Sequence, residues 1–494
     1  MSAFARIAKN TAALAVGNLI AKLLSLVFLA YMARRLGDID FGRFSVAMAL
    51  VGLVAVIPNY IARPYIIREI ARRRDSVSRM LTQISITNIL LALAVFGALA
   101  LVAPHLGYHP RTVQAIVILG FALVFDATTA SYHATLAGFE RMELSAALNV
   151  FNTVTTVALG GAMLASGYGL IPLVSMYAVA KALTLLLALR FLRGLEAAPD
   201  AKLDVPLMNE MLRATWPFFI TTLFIIFYAR LDIVMLSFFK RDAAVAEVGY
   251  YNAAYKVMEG LGLVTASFVS AMYPFLARLF VDNRDRLRLV FRRALRYLLA
   301  FVLPAATGLA IIAWDLMPLM FGPEFAPAAA ALAILVWGQA LDSINPLLAQ
   351  TLRATDREWS VAKVTGIGAA FNFAANLALI PSFGLYGAAV ATVASFALVL
   401  AINQHILRRA LGAFDIAGPL ARTVLATAIM AIVLIAMSRF VLHEWSPGGR
   451  LAVLIVLGAI VYSLAATALG VADREDRRFL RDLIRRKSRR SERN

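Results

Sequence analysis

The chain has 494 residues, 61% hydrophobic and 16% charged, with a mean hydropathy of +0.77. Soluble domains carry about a quarter charged residues, so a large soluble core is excluded and an integral membrane protein is indicated. Cysteine is absent and no two of the five histidines share a helix face at ligand spacing, so disulfides, thiolate chemistry, metal sites and cofactors are not expected.

The first run, NTAALAVGNLIAKLLSLVFLAYMARRLG, begins like a signal peptide. It is too long for one and no small-residue cleavage pattern follows, so it predicts a retained first transmembrane helix. Apolar runs then recur to the end of the chain. The predicted spans lie near 11–33, 44–62, 80–103, 112–136, 144–165, 169–192, 215–239, 249–275, 295–314, 328–352, 361–380, 384–407, 419–441 and 449–470. Each is long enough to cross a hydrocarbon core of roughly 30 Å. The fold class is therefore all-α, a polytopic membrane protein of about fourteen helices. Ser166-Gly167-Tyr168-Gly169 and Pro381-Ser382-Phe383-Gly384 mark tight turns.

An even number of spans puts both termini on one side. Thirty-six Lys and Arg residues flank the helices on that side and eight on the other. This asymmetry predicts cytoplasmic termini. The net charge of +19 is then read as inner loops facing anionic lipid headgroups, and nucleic acid is not an expected partner. Segments 66–80 and 277–296 read as basic amphipathic helices on the inner leaflet, and the tail reads the same way.

The two halves echo each other. Thr135-Leu136-Ala137-Gly138-Phe139-Glu140-Arg141 matches Thr351-Leu352-Arg353-Ala354-Thr355-Asp356-Arg357, and Tyr168-Gly169-Leu170 matches Phe383-Gly384-Leu385. Phe41-Gly42-Arg43-Phe44 matches Val248-Gly249-Tyr250-Tyr251. These echoes predict an N-terminal lobe over 1–195, a cytoplasmic linker over 196–214 and a second lobe over 215–412. Two extra helices over 413–472 and a basic tail over 473–494 follow. Six spans per lobe make the repeat parallel, with its axis along the membrane normal.

The seventh run, Trp216–Phe239, carries Arg230 and Asp232. A charge at the bilayer centre costs on the order of 3 kcal/mol, so the two either pair near one face or mark a polar interior. Other spans carry polar stripes at helical spacing: Thr11, Asn18, Lys22 and Ser25; Asn59 and Arg63; Asp126, Thr129, His133 and Glu140; Tyr177, Lys181 and Thr184; Asn252, Lys256 and Glu259; Gln339 and Asp342; Asn372 and Asn376. Any one stripe reads equally as glue between helices. Together, Lys22, Arg63 and Lys181 from one half and Arg230 and Lys256 from the other predict a wet cationic cavity suited to phosphate. Asn18, Asp126, His133, Asp232, Glu259 and Asp342 are its expected polar lining, with Asp126, Glu259 and Asp342 as partners or proton carriers. No nucleotide-binding loop, zinc motif or nucleophile elbow occurs, so no catalytic residue is assigned and a transporter is expected rather than an enzyme.

At this point the chain resembles a family. The fourteen-span layout, the N-terminal NTAALAVGNLIAKLLSLVFLAYMARRLGDIDFGRFS, the RLDIVMLSFF of the seventh span, VGYYNAAYKVME and FGLYGAAVATVAS are similar to polysaccharide transport proteins, the Wzx-type oligosaccharide flippases of the multidrug/oligosaccharidyl-lipid/polysaccharide exporter superfamily. The resemblance implies two six-helix lobes around a cavity, alternating access, undecaprenyl-diphosphate-linked oligosaccharide as substrate, and a place in the bacterial inner membrane. It also suggests a polysaccharide polymerase complex as a partner. Similar lipid II flippases line their cavity with arginines from the first, second and eighth spans, where this chain has Lys22, Arg63 and Lys256. Drug antiporters of the superfamily use an acid early in the first span, and this chain has none between Met1 and Asp38. The rivals are a lipid II or cation-coupled drug exporter, a glycan polymerase or ligase, and a scaffold indifferent to its buried charges.

Overall fold

The computed structural model describes residues 3–59, 63–72, 77–195, 203–240, 245–282, 284–355, 357–412 and 417–471. The expected basic tail and part of the 196–214 linker lie outside them, as does the side chain of Asn18. The α-helices are α1 (Ala3–Val54), α2 (Arg63–Arg72), α3 (Val77–Val102), α4 (Pro110–Gly138), α5 (Met142–Ala165), α6 (Leu170–Arg193) and α7 (Val205–Lys240). They continue as α8 (Val245–Asp282), α9 (Arg284–Phe321), α10 (Ala328–Asp342), α11 (Asn345–Arg353), α12 (Glu358–Leu411), α13 (Ala417–Ala436) and α14 (Pro447–Ala468).

Two of these helices are too long for one crossing, and each is broken by a glycine. In α1 the break is Gly37, at φ 72° and ψ 174°. In α12 it is Gly384, at φ 55° and ψ −133°, just after Pro381. Positive φ suits glycine because no Cβ meets the carbonyl, and proline withholds an amide from the turn before it. Split at these points, and with α10 and α11 joined as one interrupted crossing, the helices supply a segment for every expected span. Among the described residues nine helical stretches qualify as membrane spans by length and hydropathy alone, with α12 counted once.

The first basic segment forms α2, which buries Ile66 and Ile70 and exposes Arg68 and Arg72. Ile70 packs against Gly138 of α4, where a Cβ would come within 2.9 Å of it. The second segment departs from expectation: it is not a separate surface helix. Its basic residues form the first turns of α9, which runs unbroken through Phe321. Arg and Leu are good helix formers, and no Gly or Pro occurs from Arg284 until Pro304, so nothing stops the helix at the membrane surface.

The chain divides into two compact units, one of residues 1–256, 320–328 and 368–391 and one of 257–319, 329–367 and 392–494. In the first, Leu81, Ile84, Tyr132, Leu136, Leu148 and Leu192 form an apolar core. Polar groups bind α3 to α4 within it: Asn88 donates to Ser131 Oγ at 2.6 Å and to the Ala127 carbonyl at 3.1 Å.

In the second unit α13 and α14 dock on α9 through Ile312, Met430, Leu434 and Leu454. Tyr462 of α14 donates its hydroxyl to the Ala300 carbonyl at 2.6 Å. Arg450 grips Asp315 with both arms of its guanidinium, Nε to Oδ2 at 2.8 Å and the second arm to Oδ1. The Asp315 side chain is only 10% exposed, so removing Arg450 leaves a buried charge without its partner. Arg450→Ala is expected to lower stability by about 3 kcal/mol, while the double variant Asp315→Ala/Arg450→Ala loses much less. Thermal unfolding of the detergent-purified variants checks this.

Candidate functional site

The predicted stripes on α4 and α6 meet. Asp126, Thr129 and His133 follow one face of α4, and Tyr177, Lys181 and Thr184 follow one face of α6. Lys181 Nζ donates to Asp126 Oδ1 at 2.6 Å. Their side chains stay 28% and 42% exposed, so the pair is made yet still reachable. His133 Nδ1 lies 2.9 Å from Ser145 Oγ of α5, and the charges of Arg63, Asp126 and Lys181 all act on its ring. Thr184 donates to Asn152 Oδ1 of α5 at 3.4 Å. Four helices thus converge on one polar cluster. Arg63, exposed at the start of α2, adds a second cation, so the ionic side chains, Arg63, Lys181 and Asp126, are two positive to one negative. Ammonium and guanidinium donors are the groups whose geometry matches phosphate oxygens.

The remaining candidates are elsewhere. Lys22 is exposed on α1 and Arg230 half-buried on α7. Asp232 is buried, and its carboxylate accepts from the Tyr251 hydroxyl of α8 and from the Ile233 amide. Tyr251 is wholly buried, so this contact ties α7 to α8 inside the protein. Lys256 is half-buried at the end of the first segment of the first unit. Glu259, exposed, and Asp342, half-buried, belong to the second unit. There α8 and α10 share a buried neutral network: Ser343 Oγ lies 3.2 Å from Thr265 Oγ1 and accepts from Gln339 Nε2 at 3.4 Å. Gly262 leaves room for Gln339, since a Cβ there would lie 2.8 Å from Nε2. In α12 the buried Asn376 donates to Asn372 one turn earlier at 2.9 Å, a bond within the helix.

A second feature lies within the first unit. The repeat-related glycines Gly42 and Gly249 pack against each other. A Cβ on Gly42 would stand 2.2 Å from the Val245 carbonyl oxygen, and one on Gly249 would stand 3.1 Å from the Gly42 amide nitrogen. Around this seam Tyr250 donates to Asp38 Oδ2 at 2.6 Å and Asn252 to Ser45 Oγ at 2.9 Å. The Leu385 amide donates to Glu247 Oε2 at 3.1 Å, and Arg34 Nε donates to the Met320 carbonyl at 2.9 Å. Phe325 stacks edge-on against both Phe41 and Tyr250. Sequence reasoning paired Gly42 with Gly249 as an internal echo, and so held the signal, but did not foresee that the two would touch.

Comparison with known proteins adds a family. Residues 7–280, more than half of the chain, match the model of the family described as polysaccharide biosynthesis protein. The chain is 25% identical over 407 residues to the probable low-salt glycan biosynthesis flippase Agl15 of Haloferax volcanii, covering 81% of this chain and 83% of that one. It is 23% identical over 484 residues to the probable flippase AglR of the same organism, covering 95% and 98%. Among solved structures it is similar in fold to the lipid II flippase MurJ in an inward closed conformation, with a TM-score of 0.76, 14% identity and 95% and 99% coverage. An inward-facing multidrug resistance MATE family transporter of the MOP superfamily follows, at TM-score 0.62 and 13% identity, covering 79% and 94%.

A reachable Lys–Asp pair at bilayer depth has to meet water, because hydrocarbon would not tolerate it. The absence of cysteine makes the test direct. A single cysteine at Lys181 or Asp126 is expected to react with a membrane-impermeant maleimide in inside-out vesicles. One at Leu186, 62% exposed among apolar neighbours on the same helix, is expected to stay unlabelled.

Proposed function

Because the chain belongs to the polysaccharide biosynthesis protein family, we propose that it is a glycan flippase, a transporter that turns a lipid-linked oligosaccharide across the membrane. The observation that carries this reading is the Arg63–Asp126–His133–Lys181 cluster, cationic and open among helices of membrane length. The carrier is undecaprenyl diphosphate, which presents four or more charged or polar oxygens to a guanidinium and an ammonium. Both Haloferax volcanii relatives are described as probable flippases, and the name of Agl15, a probable low-salt glycan biosynthesis flippase, supports the glycan class of substrate.

In the proposed cycle both termini face the cytoplasm and the lobes 1–195 and 215–412 move about the seam. The diphosphate enters from the inner leaflet and competes with Asp126 for Lys181, while Arg63 takes a second phosphoryl group. Lys22, Arg230 and Lys256 extend the cationic path, and Asn18, Asp232, Glu259 and Asp342 complete its polar lining. The glycan remains in water and the lipid tail in the bilayer, so neither has to be moved into the wrong solvent. Once displaced, Asp126 is a carboxylate without its cation and takes up a proton or metal cation, which resets the site. Release needs the Gly42–Gly249 seam to part. That seam is held by a handful of hydrogen bonds and ring contacts, each worth about 1 kcal/mol, so opening it is affordable thermally. The MurJ-like fold favours lipid II as the second reading. Accumulation of peptidoglycan precursor, rather than of glycan intermediate, in depleted cells would separate the two.

Arg63→Glu and Lys181→Glu are each expected to slow protection of labelled lipid-linked oligosaccharide in proteoliposomes by roughly ten- to a hundredfold, the value of a charged hydrogen bond. Insertion and yield should be unchanged. Full activity in both variants would remove the cationic site from the mechanism. Ser45→Cys/Asn252→Cys, placed where the native side chains touch, is expected to crosslink on mild oxidation and stop transport, with recovery on reduction.

A further inference from the structure

The second unit holds a cavity of about 370 Å³ that the transport reading does not use. Its walls come from α9, α10, α11, α12 and α13, and its lining is aliphatic and aromatic apart from Gln404. Along α9 it extends from Phe291 to Leu303, twelve residues or about 18 Å. That is close to one leaflet of a hydrocarbon core of roughly 30 Å. Trp337, 42% exposed, forms part of the wall, so the cavity reaches the surface of the helices rather than being sealed within them.

The two ends of the cavity differ. One turn beyond Phe291 on α9 is Arg288, and one turn beyond Gln404 on α12 is Arg408. Both are exposed. The two helix ends meet here, since a Cβ on Gly412 would lie 3.3 Å from Arg288 Nη2. Asp285 is the acid that faces Arg288, at 3.2 Å, and it is itself 91% exposed. The sole polar lining side chain, Gln404, also sits at this end. The far end, at Val302 and Leu303, is wholly apolar. An apolar slot one leaflet deep with guanidinium groups at its mouth has the polarity of a lipid.

We propose that this cavity is a site for one acyl chain of a resident anionic glycerophospholipid, with its phosphate between Arg288 and Arg408. The length of the slot favours this occupant over the substrate's own tail: about 18 Å along α9 is the depth of one acyl chain within a leaflet and a small part of an extended polyprenyl chain. An unfilled slot of this size would leave its walls without contacts on one side, which a bound chain restores. The anionic phosphate answers the guanidinium pair in the manner of arginine–phosphate recognition generally. The inference does not rest on the flippase reading, because lipid binding is measured without transport.

Native mass spectrometry of the full chain after delipidation tests it, with phosphatidylglycerol and phosphatidylcholine added back in equal amounts. The expected result is one retained phosphatidylglycerol per chain. Leu400→Trp, which fills the slot, should lose it. Arg288→Gln/Arg408→Gln, which leaves the walls intact, should weaken retention at least tenfold and abolish the preference over phosphatidylcholine. Equal retention of both lipids by the native chain, or undiminished phosphatidylglycerol in the Leu400→Trp chain, would overturn the proposal. Displacement of the lipid by an equimolar polyprenyl phosphate would overturn it too, and would assign the slot to the carrier tail.

Discussion

A charge cannot face hydrocarbon, and the arrangement of this protein's polar groups follows from that. Lys181 and Asp126 satisfy each other at 2.6 Å but stay partly uncovered. A charged pair keeps much of its hydration when it stays partly uncovered, because full burial would cost several kcal/mol per ion, whereas the neutral Asn88–Ser131 bond between α3 and α4 is buried at little cost. Asp232 shows the other solution, a carboxylate taken out of contact with water and given a tyrosine hydroxyl. The same residue types therefore fall into two classes. Some are interior fasteners, and some stay partly open to solvent.

The glycines serve the same economy at the level of the backbone. Gly37 and Gly384 turn the chain within continuous helical stretches, so few backbone groups are left without partners at the turn. Gly42 and Gly249 do something different: they let two helices touch main chain to main chain. Contact this close is cohesive through dispersion yet forms no strong bond. The polar groups around it, Asp38 with Tyr250 and Ser45 with Asn252, fix its register.

The two C-terminal helices, α13 and α14, lie outside the paired motifs read in the sequence. The Arg450–Asp315 bridge and the Tyr462–Ala300 contact hold α14 against α9 at two heights, so α13 and α14 belong to the body of the second unit and are not loose additions. With α9 kept straight through its basic first turns, that unit acquires both an apolar slot and a cationic mouth. A separate surface helix over 277–296 would have moved the arginines away from the slot.

Much of this was legible in the sequence. Hydropathy and length located every span, since a membrane helix has to cover roughly 30 Å of hydrocarbon with its own apolar side chains. Helical periodicity put Asp126 with His133 and Lys181 with Thr184, because a stripe on one helix is a local property. Periodicity could not tell which stripes face each other, so Asp232 and Asp126 looked alike until one met Tyr251 and the other Lys181. Nor could it tell that repeat-related Gly42 and Gly249 touch, or that Asp315 waits for Arg450 across 135 residues. Composition and spacing determined the helices and their polar faces. Only the packing of helix on helix, a matter of which distant surfaces fit, decided which charges were buried as fasteners and which stayed open.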